Sequence, residues 1–76
     1  MYIDVIGNRP GGVAKSYDKV HAVSFAEAVA LVFRNRAMYP RIERMGDNLW
    51  SVEVSNIANR ITRIKVRCKR LKEPTA

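Results

Sequence analysis

The chain predicts an α+β fold: one amphipathic helix packed on an antiparallel sheet of three to four strands. Three patterns predict it. Residues 24–36 carry apolar side chains at helical spacing, and Pro40 follows them. Residues 50–54 alternate apolar and polar shortly after a Gly46-Asp47-Asn48 turn. Residues 62–69 alternate again, with cations in every second position. One helix on one sheet is also what 76 residues can sustain, since a chain near this length buries only about 60–65% of its unfolded surface. A single domain is expected over residues 1–71, with residues 72–76 a frayed tail.

Met1–Ile6 is rich in β-branched and aromatic residues and reads as a first strand. Ile3 and Val5 share one face; Tyr2, Asp4 and Ile6 share the other. Gly7-Asn8-Arg9-Pro10-Gly11-Gly12 then reads as a flexible turn or loop. A phosphate cradle is excluded there, because no Gly-Lys-Ser/Thr ending is present and no helix begins directly after the glycines. The competing reading makes it a loop that touches nucleic acid through Arg9 and Lys15. Val13–Val23 is open between a short strand over Asp18–Ala22 and a hydrophobic cover formed by Tyr17 and Val20. His21 is the only histidine and has no cysteine or carboxylate at ligand spacing, so no metal site is expected.

The helix spans Ser24–Arg36 in this reading. Phe25, Ala28, Val29, Val32 and Phe33 fall on one face. Ser24 with Glu27 three residues later is a capping-box pattern, and Arg34 and Arg36 would meet the negative end of the helix dipole. Arg41–Met45 and Leu49–Val54 read as a hairpin about the Gly46-Asp47-Asn48 turn. Trp50, Val52 and Val54 should face the helix, which makes Trp50 a core residue rather than a stacking platform for bases. A second connection, over Ser55–Asn59, leads to the last strand.

That strand carries the functional signal. Residues 60–72 contain seven basic residues and no acidic one. Arg63, Lys65, Arg67 and Lys69 occupy every second position, and Thr62, Ile64, Val66 and Cys68 take the alternate ones. A strand therefore sets four cations on one face and a mostly apolar row on the other. Arg60, Arg70 and Lys72 extend the charge at the two ends. Two readings compete. The row is a contact for an anionic partner, or it is a solvated face whose lysines keep a sheet edge from aggregating. Aligned like charges repel and solvated faces usually mix signs, which favours the first.

Composition points the same way. Fourteen Lys and Arg against seven Asp and Glu give +7, with a pI near 10.2, a balance suited to nucleic acid, an acidic protein surface or anionic lipid. No apolar run has membrane-spanning length and no secretory leader is recognisable. One cysteine cannot form an internal disulfide, so a cytoplasmic protein is expected. No nucleophile–base pair, paired-carboxylate set or metal-ligand spacing can be assembled. An enzyme, a cofactor and a small-molecule substrate are therefore not expected.

The order strand, glycine-rich loop, short strand, capped helix, hairpin resembles that of small phage-encoded type I-F anti-CRISPR proteins. The residues carrying the likeness are Ala22-Val23-Ser24 at the helix start, Arg41-Ile42-Glu43 after it, and Leu49-Trp50 in the following strand. It covers roughly residues 21 to 54. The basic strand departs from it, so no individual functional residue is carried over. The resemblance implies one helix on an antiparallel sheet and a non-catalytic inhibitor that binds Cas effector subunits. The expected function is thus a small basic protein that docks on an acidic protein surface or a nucleoprotein complex. The alternative is a stand-alone DNA- or RNA-binding regulatory module. Arg60, Arg63, Lys65, Arg67, Lys69, Arg70 and Lys72 are the primary binding candidates, and Arg9, Lys15, Arg34 and Arg36 the secondary ones.

Overall fold

A computed structural model describes residues 1–8, 12–56, 58 and 60–72. Arg9 and residues 73–76 of the tail expected over 72–76 lie outside the described residues, as do positions 57 and 59 of the second connection. The elements run β1 (Tyr2–Asn8), β2 (Ala14–His21), α1 (Phe25–Val32), β3 (Arg41–Arg44), β4 (Leu49–Ser55) and β5 (Ile61–Leu71). The strands form one antiparallel sheet of five, in spatial order β2-β1-β5-β4-β3. The sheet thus exceeds the three to four strands the sequence suggests.

The additional strand is β2. It pairs along the whole of β1, from Tyr2 with His21 to Asn8 with Ala14, and so extends well beyond Asp18–Ala22. A bulge hides it in the sequence. Val5 pairs with Asp18 and Ile6 with Ser16, which leaves Tyr17 as the extra residue and breaks the alternation. Gly7, read as the start of a loop, is instead a paired and buried residue of β1. The Tyr17 ring occupies the space a side chain at position 7 would need. The same ring packs against Phe33 at 5.4 Å between centroids, and Phe33 meets Tyr39 edge-on at 4.8 Å.

α1 is shorter than Ser24–Arg36. Its start is as expected: the Ser24 hydroxyl accepts the Glu27 N–H at 3.1 Å. Its end comes early, at Phe33, whose N–H still donates to the Val29 carbonyl. Asn35 then diverts the chain. Its side-chain oxygen accepts the N–H groups of Ala37 and Met38, and its carbonyl accepts that of Tyr39 at 2.7 Å. Arg34 and Arg36 therefore lie beyond the helix, and its last turn holds no basic residue. Amphipathicity is also only approximate, since Leu31 and Ala30 are exposed on the outer side.

The core lies between α1 and one face of the sheet. Ile3 and Val5 of β1, Trp50 and Val52 of β4, and Ile64, Val66 and Cys68 of β5 are buried with Ala28, Val29 and Phe33. Fully burying one such aliphatic or aromatic side chain stabilises by roughly 1.5–3 kcal/mol. Trp50 is 4% exposed, which places it in the core as expected. The Arg44 guanidinium sits 5.3 Å from its ring centre and is anchored by hydrogen bonds to the Gly46 and Asp47 carbonyls. Among the described residues no helix is long and apolar enough to cross a membrane.

Candidate anion-binding face

All of α1 packs on one side of the sheet, so among the described residues the other side is left open. Its composition follows from the alternation in each strand. Residues whose neighbours in sequence are buried point outward, and the strand register puts them in rows. Crossing from β2 through β1 to β5, one end row is His21, Tyr2, Leu71; the next is Lys19, Asp4, Lys69. Further along, Ser16, Ile6, Arg67 and Leu49 form a row, followed by Ala14, Asn8, Lys65, Ser51 and Glu43. Arg63, Glu53 and Arg41 come next.

Arg63, Lys65, Arg67 and Lys69 thus share the open face as the alternation predicts. Each is exposed, and residues two apart along a strand are separated by about 6.7 Å. They do not lie on an edge. β5 is the middle strand of five, so a role in keeping a sheet edge from pairing cannot account for them.

The four are not equivalent. Glu53 of β4 takes Arg63 in an ion pair of 3.2 Å, and Asp4 of β1 stands directly opposite Lys69. Asp4 in turn accepts a hydrogen bond from Ser16. Sequence reasoning held the row free of carboxylates because none occurs within residues 60–72; the neighbouring strands supply them. Lys65 and Arg67 differ. Directly across from Lys65 are Asn8 and Ser51, and across from Arg67 are Ile6 and Leu49. These two cations, with Ile6, Asn8, Ala14 and Leu49, line a shallow depression of about 220 Å³. They are the centre of the candidate site.

The remaining candidates fall elsewhere. Arg70 pairs in register with buried Ile3 and so projects on the helix side. Lys15, opposite Gly7, lies near the Tyr17 ring at 5.8 Å on that same side. Arg34 and Arg36 are exposed in the segment that follows α1. Arg60 closes the β4–β5 connection, its N–H donating to the Asn56 side chain at 2.9 Å. Lys72 is exposed just beyond β5.

Sequence reasoning missed Lys19 and Arg41, which register adds to the face. Tyr2 and His21 are on it, stacked with centroids 4.7 Å apart and planes 29° apart. The signal for Tyr2 was present in the alternation of β1; what was missing was the pairing of β1 with the basic strand.

Cys68 is buried on the helix side, and burial pushes its thiol from 9.0 up to about 11. It stays protonated near neutral pH and contributes packing rather than reactivity. Among the described residues no cluster of three or more His, Cys, Asp or Glu side chains is placed to hold a metal ion. Comparisons with protein-family models, characterised proteins and solved structures found no match to the chain.

Proposed function

We propose that the chain is a non-catalytic binding protein that docks through the open face of its sheet onto an anionic partner, an acidic protein surface or a nucleoprotein complex. The observation that carries this reading is the pair Lys65 and Arg67. Both stand exposed in the middle of an uncovered face, with only neutral residues directly opposite. Keeping two adjacent cations without facing carboxylates is unfavourable in the free protein, and an anion removes that penalty. The resemblance to type I-F anti-CRISPR proteins gives the reading a particular form. In it the chain is a phage-encoded inhibitor, acting in the host cytoplasm and seated on a Cas effector complex.

A second reading, a stand-alone DNA- or RNA-binding regulatory module, is favoured by one observation, the Tyr2–His21 stack on the same face. One experiment tests the docking surface common to both. Partners retained from lysate, with and without nuclease treatment, are compared for three proteins. They are the unmodified chain, the triple variant Arg63→Glu/Lys65→Glu/Arg67→Glu, and the helix-side variant Arg34→Glu/Arg36→Glu. The face variant should lose its partner and the helix-side variant keep it; equal retention by all three contradicts the reading. Release by nuclease assigns the contact to nucleic acid.

A further inference from the structure

The geometry points to single-stranded nucleic acid as the ligand of the open face, its backbone tracking along β5 over Lys65 and Arg67 and a base stacking at the Tyr2–His21 end. This inference rests on the open-face contact proposed above, takes up its second reading, the nucleic-acid-binding module, and adds the strandedness of what binds.

Three features of the face select a single strand. The first is the straight run of outward cations on the central strand, spaced about 6.7 Å apart, which offers an extended polyanion successive contacts along one line. The second is the ring pair at the end of that run. Tyr2 is half-buried and His21 exposed, and they stack at 4.7 Å directly beside the row that holds Lys19 and Lys69. Cationic tracks combined with aromatic platforms are how proteins hold unpaired strands, because every base has a face to stack. The third is the depression between Lys65 and Arg67, where Ile6 and Leu49 supply apolar walls within reach of two cations. A nucleotide has the matching division into a flat apolar base and a charged backbone.

The same features argue against the other polyanions. An acidic protein patch would engage the cations but make no use of the rings. Duplex DNA would also meet the cations through its phosphates, but its paired and stacked bases leave no free base to lie on the Tyr2–His21 rings.

The test is fluorescence anisotropy at fixed salt with labelled oligothymidylate, oligouridylate, a DNA duplex of matched length and polyglutamate. At least one single-stranded probe should bind roughly tenfold or more tighter than the duplex and polyglutamate. A preference between the two single-stranded probes then reports the sugar. Lys65→Glu/Arg67→Glu should weaken single-strand binding at least about tenfold. Tyr2→Ala should weaken it by roughly tenfold while Tyr2→Phe, which keeps the ring, binds like the unmodified chain. Circular dichroism checks each fold; if Tyr2→Ala is unfolded, His21→Ala at an exposed position replaces it. Polyglutamate or duplex bound as tightly as the single strands, with Lys65→Glu/Arg67→Glu still weakening the contact, overturns the single-strand inference and leaves docking intact. Binding of all four probes untouched by Lys65→Glu/Arg67→Glu overturns both.

Discussion

The Tyr17 ring lies against the backbone of Gly7, in the space that a Cβ at position 7 would occupy. Tyr17 is the extra residue of the β2 bulge, and its ring continues to Phe33 at the end of α1. A glycine one residue from the end of β1 therefore lets an edge strand reach over the core.

Gly7→Ala should destabilise the fold by roughly 1–3 kcal/mol, the usual range for overpacking a close contact. In a Tyr17→Ala background the same substitution should cost much less, because the obstructing ring is gone. Denaturant unfolding of the four members of this cycle measures the coupling. A cost for Gly7→Ala that is unchanged by Tyr17→Ala would assign the penalty to the strand backbone instead.

Much of the fold was legible because it is written in local periodicity. Ser24 marks the helix start through a hydrogen bond three residues long in sequence. Trp50 with Val52, and Ile64 with Val66 and Cys68, show their buried face by alternation alone. What was not legible depends on distant residues. The edge strand β2 is polar, and its bulge interrupts the alternation at Tyr17. α1 stops where the Asn35 side chain competes for backbone N–H groups, an event that apolar spacing does not encode. The site follows the same division. The four aligned cations are visible in the sequence, but the placement of Asp4 beside Lys69 and of Glu53 beside Arg63 needs the pairing of β5 with β1 and β4.

Trp50→Ala should cost about 3–5 kcal/mol, close to the whole stability of so small a domain. In the unmodified chain its emission should be blue-shifted and shielded from aqueous quenchers. A red-shifted, readily quenched Trp50 would contradict its burial beneath Arg44.

The buried thiol gives stability a pH dependence of known sign. The folded chain holds the Cys68 proton up to about 11, whereas the ordinary value is 9.0. Its contribution is therefore fully present below pH 9 and lost as pH rises toward 11, by about 1.4 kcal/mol per pH unit at most. Cys68→Ala removes this dependence together with some packing. The stability advantage of the unmodified chain over Cys68→Ala should thus shrink across that window, as followed by urea unfolding. A constant difference from pH 8 to 11 would mean the thiol titrates in the folded chain as it does in the unfolded one.

Glu53 holds Arg63 in an exposed ion pair, and such pairs stabilise by only about 0.2–1 kcal/mol. Glu53→Gln should therefore change stability little. It removes one of the carboxylates on the open face and releases Arg63, so the affinity for a polyanion should rise. Titration calorimetry on the two proteins at equal salt checks this, and weaker binding by Glu53→Gln would place the contact elsewhere.

Ligands are expected to meet the open face at Lys65 and Arg67. Amide chemical shifts followed during titration with oligothymidylate test it most directly. The largest changes should fall on Lys65, Arg67, Asn8 and Ser51 and extend toward Tyr2 and Lys69, with Lys15, Arg34 and Arg36 unmoved. Changes concentrated on α1 and the 34–40 segment, with β5 silent, would contradict the claim.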